Sequence, residues 1–402
     1  MAHPLPNHFE FAFPVKIIAG HTALDNLAAE LRQAQVARPL LLTDAGVLQA
    51  GLVDIVLEAL ADSGITLGAL FSDTPLESAV GAVNDLAGLY RAKGCDGLIA
   101  LGGGSVIDTA KGVNILVSLG GDEVRAYRGA EHLAGPLRPF FVLPTTAGTG
   151  SEATGAAVIV DPERGLKLQF VSEHLMPRVA FLDTRLTLTL PPRLTAATGM
   201  DAMTHAIEAY LSLQQNPISD AFAWSAIQLL SEHLRAVVAH PADRAGRLAL
   251  AVASLQAGVA FSNAMVGCVH ALGHAAGALT HIPHSVAMNI FLPWGLEFNL
   301  GKRAAAIGEL LLPLAGVEAV ARTPAADRPQ AAIAAVRALQ ADLYTACGLP
   351  RALQEAGVPA ARLEAIAALA INDGSAMLNP TELRLEDARR LVRAAYPTPL
   401  TP

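Results

Sequence analysis

The chain is sparing with charge and with sulfur. Asp, Glu, Lys and Arg make up 16% of its 402 residues, and only three cysteines occur. Cys95, Cys268 and Cys347 lie far apart and form no CxxC pair, which argues against a disulfide framework or a thiolate metal site. A reducing cytoplasm is the expected location. The formal charge of −8 is dispersed, with neither a basic block nor an acidic tail. The chain therefore lacks an electrostatic footprint for nucleic acid or an anionic membrane, and small neutral or weakly charged partners suit it better. Its first residues, "MAHPLPNHFEFAFPVKII", lack the charged-then-apolar order of a secretory signal. The widest gap in charge runs from Leu248 to Leu296, where no Asp, Glu, Lys or Arg occurs. Hydropathy alone would allow a membrane span there. Asn263, Pro283, Pro293 and four histidines interrupt the tract, however, and isolated imidazoles are costly in lipid. Buried helices of a soluble globular protein are the expectation.

What is present is apolar. A hydrophobic content of 52% over this length supports a large core, divided among two or three domains. The first half alternates β-rich runs ("VKIIAG", "PLLLTD", "ITLGALFSD", "GLIALGGGS") with helical ones, including a helix expected from Leu76 to Lys93. Further strand-like runs follow at "PFFVLPTT", "AAVIVD", "LKLQFV" and "VAFLD". Such alternation predicts a mostly parallel sheet wrapped by helices. After "LTLPPRL" the pattern changes to Ala- and Leu-rich stretches at helical spacing. We therefore expect an α/β domain over residues 1–191 and an all-helical domain over 192–402. The stretch "GVEAVARTPAADRPQAA", residues 316–332, reads as an exposed, mobile connection. No internal repeat or low-complexity linker is found.

Two loops of the first half suit a dinucleotide. In "LIALGGGSVIDTAKG", Gly102, Gly103 and Gly104 follow an apolar strand and precede a helix expected to start at Ser105. Bare backbone can approach a ligand closely, and a helix N-terminus favours an anion such as pyrophosphate. A ligand-free tight turn would use similar residues, and the stretch matches neither GxGxxG nor a Walker A loop. In "LPTTAGTGSEAT", Thr145, Thr146, Thr149 and Ser151 lie among glycines just after a strand. Loops ending parallel strands line the crevice where open α/β sheets bind ligands. Asp44 in "LLLTDAG" is placed to accept hydrogen bonds from a ribose 2′-OH, which favours NAD over NADP. The plainer alternative is an Asp that opens a turn before Gly46.

The apolar second half concentrates imidazole. Asp201 and His205 in "TGMDAMTHAIEAY" share one helix face at i, i+4, and His270 and His274 repeat the spacing in "GCVHALGHAAGALTHIPHS". His284 follows Pro283 at a turn. Buried polar groups need partners, and a divalent metal would satisfy several of these at once. Oxygen and nitrogen ligands suit Fe(II), Zn(II), Ni(II) or Co(II) without choosing among them. HExxH is missing, which lowers a hydrolase reading.

Taken in order, "GGGSVIDTAKG", "PTTAGTGSEAT", "TGMDAMTHAIEAY" and "GCVHALGHAAGALTHIPHS" resemble the iron-containing (group III) alcohol dehydrogenases, and the resemblance runs from about Phe13 to Tyr396. It implies the dehydroquinate synthase-like fold, with an N-terminal dinucleotide-binding domain and a helical metal-binding domain. By the same resemblance Asp201, His205, His270 and His284 would hold the metal, Fe(II) or another divalent ion. His274 would stand beside it as a catalytic proton relay. Gly102, Gly103, Gly104, Ser105, Thr145, Thr146, Thr149 and Lys167 would contact NAD. The implied activity is hydride transfer between nicotinamide and a small alcohol or aldehyde, by a homodimer or larger homo-oligomer. Glycerol dehydrogenase, maleylacetate reductase and hydroxyacid-oxoacid transhydrogenase are related alternatives. A metallohydrolase would leave the glycine and threonine loops without a purpose, and a non-catalytic homologue would bind NAD and metal without turnover. Two departures stand out: Ser285 follows His284 where the family usually has Gly, and the Asn-Pro pair common before the central helix is missing from "FSDTPLESAVGAVNDLAGLY". The role of His281 stays open.

Overall fold

The computed structural model of the chain describes residues 5–75, 77–130 and 132–397. It divides into two compact units, one spanning Ala12–Leu190 and the other formed by Pro191 onward together with the residues before Ala12.

In the α/β unit, strands and helices alternate as the sequence suggests. The order is β1 (Lys16–Gly20), α1 (Leu27–Gln33), β2 (Leu40–Leu42), α2 (Ala45–Gln49), α3 (Leu52–Leu60), β3 (Ala69–Phe71), α4 (Val80–Ala92), β4 (Leu98–Gly102) and α5 (Gly104–Leu119). Then come β5 (Gly129–Ala130), β6 (Phe140–Pro144), β7 (Ala156–Asp161), β8 (Leu166–Val171) and β9 (Val179–Asp183). Six strands form a parallel sheet in the order β1-β9-β6-β4-β2-β3. Strands β2, β4, β6 and β9 are buried along their whole length, which parallel strands covered on both faces require. One face packs on α4 and α5 through Val83, Leu86, Val106 and Val113, and the other on α1 and α3 through Leu27, Leu31, Val53 and Val56. A second, small sheet has the order β5-β8-β7. Arg125 braces it from outside, its guanidinium meeting both oxygens of Asp161 at 2.7 and 2.9 Å. The helix expected from Leu76 begins at Val80, and Leu76 itself lies outside the described residues.

The other unit is helical, with no strand among its described residues. It contains α6 (Pro192–Leu211), α7 (Pro217–Ala239), α8 (Arg244–Ala264), α9 (Cys268–Thr280), α10 (His284–Glu309), α11 (Leu311–Arg322), α12 (Arg328–Cys347), α13 (Leu363–Ala370) and α14 (Leu385–Ala394). Helix starts follow capping chemistry. Pro192 opens α6, and Asn216 caps α7 through a reciprocal bond with Ser219. Phe11, from the start of the chain, stacks on Phe222 of α7 with ring centroids 5.9 Å apart. By length and composition α8 could cross a membrane, as could α10 and α11 together, which meet at a 67° bend. In the structure α8 packs on α6 and α7.

Helix α10 contains Pro293, whose ring nitrogen has no hydrogen to offer the carbonyl of Asn289 four residues back. Gln340 of α12 supplies the missing donor through its Nε2. The stretch 316–332 is largely exposed, as expected, but most of it is helix rather than connection, since α11 runs to Arg322 and α12 starts at Arg328. The prolines misled. Pro329 sits in the first turn of α12, where an absent N–H costs nothing. Gly316, with φ of 84°, only kinks α11.

Candidate active site

Three helices of the helical unit bring the polar groups together. Helix α6 contributes Asp201 and His205, α9 contributes His270, and α10 contributes His284, its first residue after Pro283. One ligand atom from each of the four lies within 4.8 Å of the others. Ring centroids are 4.6 Å apart for His205 and His270, and 5.5 Å apart for His270 and His284. His284 Nε2 stands 3.4 Å from Asp201 Oδ1.

Electrostatics favour neutral imidazoles at His205 and His270 beside one carboxylate. Burial pushes His205 down to about 3 and His270 well below its ordinary value. Burial alone would raise Asp201, but the facing imidazoles of His205, His284 and His270 outweigh it and hold the carboxyl ionised. Asp201 Oδ1, His205 Nδ1 and His270 Nε2 are buried with no hydrogen-bond partner. Orphaned donors and acceptors of this kind are costly, and a divalent cation would satisfy an oxygen and several nitrogens together. The residues fit such an ion.

Sequence reasoning missed two carboxylates behind this cluster. Glu208, one turn after His205, accepts from His270 Nδ1 at 2.6 Å and from the backbone N–H groups of Val269 and His270. It fixes the start of α9 and turns His270 Nε2 toward the cluster. Burial pushes its carboxyl up to about 7 against those hydrogen bonds. Asp373 lies 2.9 Å from His274 Nδ1. Burial would raise this carboxyl too, but the bonds from His274 and the Ser375 N–H together hold it below its ordinary value. Glu208 stands inside a motif already singled out. Asp373 gave no local signal, since its partner is 99 residues away.

His274 approaches the cluster without joining it, with ring centroids 5.7 Å from His270 and 5.3 Å from His284. Its side chain is 35% exposed, against 3% for His270. His281 has a structural part: with φ of 58° it ends α9, its N–H bonded to Gly277 O at 2.8 Å. Ser285 is half-buried in the first turn of α10.

In the α/β unit, neighbouring strands deliver both expected loops to one edge. Gly102 at the end of β4 pairs with Pro144 at the end of β6, and Thr145 N–H bonds Gly102 O at 3.1 Å. Helix α5 starts at Gly104, one residue before the expected Ser105. A Cβ added to Gly103 would lie 3.3 Å from Thr146 Oγ1, and one added to Gly104 would lie 3.0 Å from Thr149 Cγ2. The glycines thus keep open a space that side chains would fill, at a helix N-terminus suited to pyrophosphate. Asp44 follows β2 and caps α2, its Oδ1 accepting from Val47 N–H at 2.9 Å. That is the plainer of its two expected roles, and it leaves Oδ2 uncommitted to the cap. Lys167 stands on β8 of the small sheet, its Nζ 2.8 Å from Glu77.

Comparison with known proteins agrees with this architecture. The family model for iron-containing alcohol dehydrogenase matches residues 14–184, and the C-terminal model of the Fe-containing alcohol dehydrogenase family matches residues 195–396. The chain is 35% identical over 393 residues to a 1,3-propanediol dehydrogenase of Klebsiella pneumoniae, covering 96% of this chain and 99% of that one. It is 33% identical over 388 residues to an NAD-dependent methanol dehydrogenase of Bacillus methanolicus, with the same coverage. Among solved structures it resembles a 1,3-propanediol oxidoreductase, with a TM-score of 0.92 and 34% identity over 97% of this chain and 100% of the other. The chain belongs to the iron-containing alcohol dehydrogenase family.

Proposed function

We propose that the protein interconverts a small alcohol and its aldehyde, with NAD as hydride carrier and a divalent metal held by Asp201, His205, His270 and His284. The convergence of those four groups, with orphaned buried atoms on three of them, is the observation that carries the reading. When bound, the ion supplies a Lewis acid that acidifies an alcohol hydroxyl or polarises a carbonyl, and the nicotinamide accepts or donates the hydride. The residues do the rest. Glu208 accepts the Nδ1 proton of His270 and so presents Nε2 to the ion. His274, its Nδ1 facing Asp373, keeps Nε2 available to carry a proton to or from substrate at a part-exposed position.

On the α/β side, Gly102 to Ser105 and Thr145, Thr146 and Thr149 would seat the pyrophosphate and its neighbours, with Asp44 near the ribose and Lys167 as a further contact. The cytoplasm is the proposed location, and a homodimer or larger homo-oligomer the proposed working form. An absorbance assay at the NADH band over a panel of alcohols and aldehydes, run beside metal analysis, tests the function. Turnover should require NAD and should vanish on chelation. Full activity of thoroughly metal-free protein would overturn the reading.

A further inference from the structure

Helix α9 begins without a cap of its own. Its N-cap residue, Gly267, has no side chain to accept the first free N–H groups, where Ser, Thr, Asp or Asn would ordinarily do so. Two buried side chains from elsewhere in the chain take over. Glu208 of α6 accepts from the N–H groups of Val269 and His270, and Asn379 Oδ1 accepts from Cys268 N–H at 3.1 Å, 111 residues away in sequence. Gly267 is what lets them in, since a Cβ there would lie 2.7 Å from Asn379 Oδ1 and 3.0 Å from Glu208 Oε1.

Asn379 is gripped in turn by Asn299 of α10, and both are buried. The two carboxamides exchange bonds, Asn299 Nδ2 donating to Asn379 Oδ1 at 3.0 Å and Asn379 Nδ2 donating to Asn299 Oδ1 at 2.9 Å. Their remaining N–H groups reach Gly295 O and Thr381 O, and Thr381 N–H takes the second acceptor place on Asn299. Every donor and acceptor of the pair is thus used. Turning either amide over would set donor against donor, so the network admits one arrangement, with an oxygen toward Cys268. Apolar side chains would fill this space at less cost in desolvation. What the polar pair governs is the start of α9, whose third residue is His270. The same segment reaches α9 a second time, because Asp373, six residues before Asn379, meets His274 Nδ1.

We propose that Asn379, oriented by Asn299, is a positioning residue of the metal site, fixing the first turn of α9 against Glu208 so that His270 Nε2 stays aimed at Asp201, His205 and His284. The inference rests on the proposed metal site and adds what holds one of its three helices in register.

The test compares Asn379→Ala, Asn299→Ala and the double variant with the wild type, using Co(II) as the probe metal. Three quantities are measured: the Co(II) dissociation constant by competition with a chelator, the visible absorption bands of bound Co(II), and the thermal midpoint of the metal-free chain. Asn379→Ala should weaken Co(II) binding about tenfold, the lower end of what losing an outer-shell partner does, and should shift the visible bands as His270 leaves its place. Asn299→Ala should weaken it about two- to fivefold, as loss of a single hydrogen bond would. The double variant should bind Co(II) no more weakly than Asn379→Ala alone, because Asn299 acts through Asn379. A purely structural pair would lower the midpoint of the metal-free chain and leave the affinity and the bands of folded protein unchanged; that result overturns the proposal while leaving the metal site standing. Should Asn379→Ala not fold, Asn299→Ala decides, and wild-type Co(II) affinity in that variant overturns the proposal likewise. A double variant clearly weaker than Asn379→Ala refutes action through Asn379. A wild type that binds no Co(II) overturns the metal site as well.

Discussion

His270 and His274 lie one turn apart on α9, yet their Nδ1 atoms face different carboxylates, and the different work proposed for them rests on that difference. His270→Ala deletes a group whose Nε2 is buried within the cluster, and it should lose metal and activity together. His274→Ala should keep most of the metal while lowering turnover or changing its pH profile. Metal content per chain beside NADH-linked activity separates the two, and loss of metal from both variants would make His274 a ligand. Glu208→Gln keeps the shape behind His270 and removes the charge. Its metal affinity should fall about ten- to a hundredfold, the usual effect of losing an outer-shell carboxylate. At Asp44 the geometry sets two effects against each other. Replacement by Gly should narrow a preference for NADH over NADPH, measured as a ratio of kcat/KM values, at a cap cost of a few tenths of a kcal/mol, about what a Gly substitution removes. A wild type that uses both cofactors equally would refute the placement of Asp44 beside the ribose.

Among the elements, the pairing of Pro293 with Gln340 invites a double-mutant cycle. Gln340→Leu alone leaves the Asn289 carbonyl buried without a donor, which costs about 1–3 kcal/mol. In a Pro293→Ala background the helix regains its own N–H, and the cost of Gln340→Leu should shrink by about 1 kcal/mol in chemical denaturation. Additive costs would show that the two residues act separately. The small sheet makes an acid-sensitivity prediction. Hydrogen bonds from Arg125 hold Asp161 below its ordinary 3.8. A depressed carboxyl stabilises above its unfolded value and loses that contribution as pH falls through the folded one. Thermal stability should thus drop from about pH 4 downward, less steeply in Asp161→Asn.

These elements also show what could be read in advance. Strands such as "LIALG" and "FFVLP" were legible because a doubly covered parallel strand is a continuous apolar run. The two-residue β5 was not, since it is defined by its partner β8 rather than by any pattern of its own. The clustered groups stood out because Asp201, His205 and His270 fall at helical spacing and His284 beside a proline, while which histidines would hold the metal came from the family resemblance.

At the scale of the molecule, an ion bound by residues from three helices should couple those helices to one another. Binding to the folded state alone adds about 4 kcal/mol of stability at a thousandfold excess over Kd. Chelation should therefore lower the thermal midpoint by several degrees as well as abolish turnover, and the midpoint should recover with added Fe(II). An unchanged midpoint would show that the ion does not hold the helices together.

The strand order of the larger sheet has a consequence in time. Strand β1 is made first in this unit but, among the described residues, pairs with β9 alone, Lys16 lying opposite Val179, whereas β4 and β6 are close in sequence and adjacent in the sheet. Nearby segments find each other sooner than distant ones, because less chain entropy is lost in closing the loop between them. On the ribosome, therefore, the strands beneath the glycine and threonine loops can join while β1 still waits with an unpaired edge. Pulsed hydrogen exchange during refolding should find amides of β4 and β6 protected before those of β1, which makes the first strand of the unit its last to be secured and the one most open to capture by a chaperone.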